Sequence, residues 1–199
     1  ISTSESEKDN TYLSWNVSVG SSLDVKLVTA FSILEYALLS APGAPLKQAL
    51  IDAGIGKDIL GSFESGILQP SFSVIAKNAN PEDKEKFLCI IRQTLTDSVK
   101  NGLDEKALLA GINSSEFRFR EADYGSYPKG LMYGIDIMDS WLYDENEPFA
   151  YVRQLDIYDE LKKAVGSGYY EELIQKYLLD NPHAAMVVIE PKKGLTAET

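Results

Sequence analysis

Residues 12–19, YLSWNVSV, alternate strictly, with Leu13, Trp15, Val17 and Val19 on one side and Tyr12, Ser14, Asn16 and Ser18 on the other. A period of two predicts a strand with one buried face. The next stretch, SSLDVKLVTAFSILEYALLS, changes to helical period. Leu23, Leu27, Phe31, Leu34 and Leu38 form its stripe, and Ser21 with Asp24 resembles a capping box. APGAP at 41–45 stops that helix, and LKQALIDAG makes a short one closed by Gly54. Two strands follow, KDILGSFESG and PSFSVIAK, with ILQP as the turn between them. Asn80-Pro81-Glu82-Asp83 then opens a helix with a cap residue, a proline and acids in the first turn. Phe87, Ile91 and Leu95 are its inner face, and Gly102 ends it. Asp104 caps a helix over 105–121, although EFRFRE within it also alternates like a strand. ADYGSYPKG is a loop, and LMYGIDIMDSWLYD a helix with Leu131, Ile135, Met138 and Leu142 on one side. Helices over 155–165 and 168–179 are split at GSG. HAAMVVIEP is nearly all apolar, which predicts a central strand buried on both faces.

Strand, helices, two strands, several helices, strand: this order predicts an α+β fold, a mixed or antiparallel sheet with helices packed mainly on one face. Residues 11–195 read as one domain, 1–10 as a disordered or extended tail, and 196–199 as the start of a connection. The chain has 199 residues, enough to bury a core without covalent staples. It begins at Ile1 with a polar tail, so it is expected to be a piece of a longer protein.

Charge and rare residues narrow the chemistry. The net charge is −11, and no basic stripe is available for phosphates, which argues against nucleic acid and against an anionic membrane surface as partners. No apolar run is expected to reach the roughly 20 residues that span a bilayer. Cys89 is the single cysteine and reads as a buried structural thiol on the apolar side of its helix. His183 is the single histidine. A zinc site needs at least three protein ligands, and a nucleophilic triad needs a base beside its nucleophile. Neither pattern is present, so His183 reads as a strand-entry residue, with no catalytic and no metal-binding residues expected in this chain. Carboxylates gather at Glu116, Glu121 and Asp123 and again at Asp144, Glu145 and Glu147, and such runs read as solvated faces. Tyr124, Tyr127, Tyr133 and Tyr143 suit either a core boundary or a peptide-binding surface.

Three stretches in order, YLSWNVSVG, APGAPLKQALIDAGIGKDILGSFESGILQPSFSV and YYEELIQKYLLDNPHAAMVVIEPKKGL, resemble the presequence-protease branch of the pitrilysin/insulinase zinc metallopeptidases. The resemblance runs from about residue 11 to 195. It is closest to the second, noncatalytic domain of the N-terminal half of those enzymes. It implies four homologous α/β domains, paired in two bowls that a helical hairpin joins around a peptide. The chain ends at EPKKGLTAET, about where that hairpin would begin. The family's His-x-x-Glu-His motif, and its zinc, belong to the first domain. This chain lacks the motif, so it is expected to be inactive alone and to carry no cofactor, while the parent is a zinc metalloendopeptidase.

The resemblance further implies that this domain forms part of the closed peptide chamber, with peptide substrates and the adjacent domains of the same polypeptide as partners. In insulinase relatives the second domain carries an exosite that holds a peptide as an added strand. The corresponding region here is SAPGAP with DILGSFESG, which makes Leu60, Gly61, Ser62 and Phe63 the candidate substrate-binding residues. A sheet edge offers unpaired backbone groups to such a peptide, and Gly61 would let backbones approach. The alternative is a stand-alone peptide-binding module without protease activity. A complete carboxylate-based hydrolase has no constellation to support it. The compartment is expected to be cytoplasmic if the source is bacterial, or otherwise an organellar matrix.

Overall fold

The computed structural model describes residues 6–122 and 124–194. Four antiparallel strands form one open sheet in the order β2-β3-β1-β4. They are β1 (Thr11–Ser18), β2 (Asp58–Glu64), β3 (Ser71–Ala79) and β4 (Ala184–Ile189). Between β1 and β2 lie α1 (Val25–Glu35), which widens into a π-turn over Tyr36–Ser40, and α2 (Pro45–Asp52). Between β3 and β4 lie α3 (Lys84–Asn101), α4 (Glu105–Glu121), α5 (Lys129–Trp141), α6 (Leu155–Lys163) and α7 (Tyr169–Ile174). The fold is α+β, as the element order predicts.

The alternation of β1 sets the core. Leu13, Trp15 and Val17 are buried beneath α1, with Phe72, Val74 and Ala76 of β3 beside them on the same face. Phe31 on α1 joins the layers, stacking on Phe63 at 5.8 Å and meeting Phe72 and Tyr177 edge-on. The other face of the sheet is polar at its centre, where the Ser14 and Ser73 hydroxyls both donate to Asn16 Oδ1 at 3.0 and 2.7 Å.

Several expectations need correction. β4 is an edge strand, paired only with β1, and Val187 and Ile189 are exposed on the open face of the sheet. An all-apolar run did not mean burial on both sides, because only Met186 and Val188 turn toward the core. Leu23 lies before α1 and is exposed, and the helix is capped by Asp24 alone, whose carboxylate accepts from the Leu27 N–H at 3.0 Å. Cys89 is exposed, because helix geometry places it well around the axis from the buried Phe87 and Ile91. EFRFRE is helical, the end of α4. The stripe of α5, whose side the sequence leaves open, faces outward. The stretch Val25–Asp52 is long and apolar enough to cross a membrane, but most of that stretch is buried in the core, as expected of a central helix.

Of the predicted tail, residues 9 and 10 are held against the turn after β3. The Asp9 N–H donates to Asn80 Oδ1 at 2.9 Å, and Asn78 Nδ2 donates to the Asp9 carbonyl at 3.1 Å. Asp123 and residues 195–199 lie outside the described residues.

Candidate functional site

β2 pairs with β3 on one side and, among the described residues, carries no strand on the other. Its residues alternate, so the four candidate side chains do not act together. Leu60 and Ser62 point to the open face of the sheet and are exposed. Gly61 turns inward: a Cβ there would stand 2.8 Å from Leu39 Cβ and 2.3 Å from Glu35 Oε1. The close approach that Gly61 permits is therefore occupied by the chain's own α1 and π-turn. Phe63 also turns inward, half-buried against Phe31, and it lines a hollow beside the strand.

That hollow, about 290 Å³, lies between the end of α1, α4 and β2. Ser40, from the SAPGAP stretch, and Phe63, from β2, both line it, so the fold brings the two candidate segments together. α4 can cross α1 closely here because Gly111 faces Tyr36, where a Cβ would sit 3.0 Å from the ring. A second hollow of about 420 Å³ adjoins the first, and Ser32, Ser115 and Arg118 line both. Together they make a groove that starts beside Phe63 and runs under α5.

The walls of the groove are polar. Thr29 and Ser32 of α1 form the floor, with the Thr29 hydroxyl donating to the Val25 carbonyl at 2.8 Å and the Ser32 hydroxyl to the Val28 carbonyl at 3.2 Å. Asp136 and Asp139, three residues apart on α5, supply a carboxylate wall. Burial first, then the Asp136 and Glu64 carboxylates, push Asp139 up to about 6. The Tyr124 hydroxyl donates to Asp136 Oδ2 at 3.0 Å, and burial together with that carboxylate pushes the phenol up to about 12. The Tyr151 hydroxyl donates to the Ser22 carbonyl at 2.6 Å and closes one end. Serines, aromatic rings, carboxylates and one guanidinium suit the binding of an extended polypeptide, through its backbone and its side chains.

The remaining candidates stand elsewhere. His183 is exposed at the entry to β4, where its carbonyl accepts from the Ser18 N–H at 3.0 Å and its own N–H donates to Asn181 Oδ1 at 2.8 Å. Neither His183 nor Cys89 lines the groove. Glu116 is clamped by Lys162 and by Arg120, the latter at 2.6 Å, and those two cations hold its carboxyl below the ordinary range. Among the described residues, no group of three histidine, cysteine or carboxylate side chains is placed to hold a metal. The sequence reading missed Arg118, Asp136 and Asp139. Two aspartates three apart within the otherwise apolar GIDIMDSW were the available signal.

The fold is shared with solved peptidase domains. The inactive peptidase domain of a zinc-protease-like protein from Bordetella parapertussis superposes with a TM-score of 0.73 at 12% identity, over 92% of this chain and 91% of that one. No protein-family model matches the chain. Sequence relatives define the branch. The chain is 42% identical over 195 residues to protein HypA of Clostridium perfringens, covering 98% of this chain and 20% of that protein. It is 31% identical over 177 residues to presequence protease 1, chloroplastic/mitochondrial, of Arabidopsis thaliana, covering 85% and 16%. The chain thus spans about a fifth or less of the length of the curated relatives it matches. It belongs to the presequence-protease branch of the pitrilysin/insulinase metallopeptidase family.

Proposed function

We propose that this chain is the noncatalytic second domain of a longer zinc metalloendopeptidase and forms part of the closed chamber in which that enzyme degrades peptides. On this reading the zinc and its His-x-x-Glu-His motif stand in another domain of the same polypeptide, and residues 1–199 bind and orient substrate without cutting it. The observation that carries the proposal is the groove beside Phe63, along a sheet edge that no strand covers among the described residues. A peptide would lie against β2 as an added strand, with backbone hydrogen bonds giving affinity and the groove receiving alternate side chains. Leu60, Ser62 and Phe63 would flank it, while Gly61 holds the strand tight to α1.

Hydrogen exchange tests the reading directly. Adding a peptide substrate to the longer polypeptide is expected to slow exchange of amides in 58–64, and N-methylation of alternate backbone amides of that peptide to weaken its binding about tenfold or more. Unchanged exchange at β2, together with unchanged affinity of the N-methylated peptide, would overturn strand addition. Metal-free 1–199 that binds peptides with full affinity but adds nothing to cleavage by the longer polypeptide would favour the stand-alone binding module instead.

A further inference from the structure

α5 is mounted inside out. Its apolar residues, Leu131, Ile135, Met138, Trp141 and Leu142, are between 40% and 63% exposed. Its acids, Asp136 and Asp139, turn inward to the groove, and Ser140 is its only buried residue. A surface helix normally does the opposite, because burying an apolar face is what holds it. The apolar surface continues past the start of α5, where Phe117 and Tyr127, both exposed, line a common hollow. A contiguous apolar patch of this kind marks an interface.

We propose that the outer face of α5 docks against another domain of the same polypeptide, one that presents an apolar centre with basic side chains at its margin. The proposal rests on the reading that the chain is one domain of a longer peptidase. Two observations select this occupant. The relatives are about five times longer than the matched region or more, so most of the polypeptide they represent stands outside this domain. The patch is also bordered by Asp144, Glu145 and Glu147 in a chain of net charge −11, which sets like charge against like charge if a second copy docks there. Because the inner face of α5 is the carboxylate wall, the docked domain would also fix the width of the groove.

Hydroxyl-radical labelling of methionine reads the interface. Met138 is expected to label about fivefold or more slowly in the longer polypeptide than in isolated 1–199, as burial at an interface centre requires, with half-buried Met186 as the internal reference. Ile135→Glu in the longer polypeptide is expected to restore labelling at Met138 while leaving the melting temperature of 1–199 unchanged. Equal labelling in both forms would overturn the proposal, as would a gene that encodes only these residues. A dimer of 1–199 dispersed by Ile135→Glu, with Met138 still open in the longer polypeptide, would identify a second copy as the occupant and overturn it too. The readout needs neither peptide nor catalysis. Slowed labelling in a polypeptide that cleaves nothing would leave the docking intact and remove the peptidase reading.

Discussion

α3 and α5 carry the same signature in the sequence and opposite fates in the fold. Each places apolar residues at helical spacing, Phe87, Ile91 and Leu95 on the first and Leu131, Ile135, Met138 and Leu142 on the second. The stripe of α3 is fully buried in the main core, alongside Leu13, Leu50 and Ile174. The stripe of α5 is left largely exposed, and two carboxylates face inward in its place. Periodicity thus reports that a helix has an apolar side. It does not report which body covers that side, and the cover can belong to a different domain.

The contrast breaks most visibly in the core. Phe87→Ala, like Trp15→Ala on β1, is expected to cost about 3–5 kcal/mol in urea unfolding of 1–199. A loss below about 1 kcal/mol would mean that the face assigned to α3 or β1 is wrong. Gly61→Ala comes next, at about 1–3 kcal/mol, because its new methyl must displace Leu39 or the end of α1. A neutral result would show that the helix end can lift from the edge strand, and would reopen the inward side of β2 to a ligand.

A smaller effect separates the inner face of α5 from its outer one. Asp139 titrates near 6 in the folded chain, against an ordinary value of 3.8. The folded state therefore holds this proton more tightly than the unfolded state does, and stability falls as pH rises from about 4 through about 6. Asp139→Asn is expected to stabilise 1–199 by about 1–2 kcal/mol near pH 7.5 and to change little near pH 4, seen in unfolding curves at the two pH values. Equal effects at both would show that the carboxyl is not strained by its neighbours. Smallest of all, Ile135→Ala and Leu142→Ala should shift the stability of 1–199 by no more than about 0.5 kcal/mol. The same substitutions should cost more in the longer polypeptide, and an equal cost in both would collapse the distinction between α3 and α5.

Local patterns were legible in the sequence wherever the domain completes its own environment. The strict alternation around Trp15, the Asp104 cap and the Phe87–Ile91–Leu95 face all stand where their spacing puts them. Two readings failed for one reason. β4 and Cys89 were each assigned a buried side from their apolar surroundings, and those surroundings do not say what lies opposite. The candidate segments 40–45 and 58–64 were found through a family resemblance, and the fold sets them side by side at Ser40 and Phe63. The carboxylate wall stayed hidden because two aspartates on a helix do not show from sequence which way they face, and here Asp136 and Asp139 face the groove.

The position of β1 carries a consequence for synthesis. Its two partners come from opposite ends of the sequence order: β3 follows soon after it, whereas β4 is the last strand, pairing Trp15 with Met186. Until β4 has been made, a nascent chain can assemble β2, β3 and β1 only, and β1 stands as an unpaired edge. An open edge is a template for wrong partners, and contacts between distant residues form slowly. The last strand therefore acts as a latch. A ribosome paused before residue 184 would hold β1 as an open edge, and its release would move that edge outward to β4.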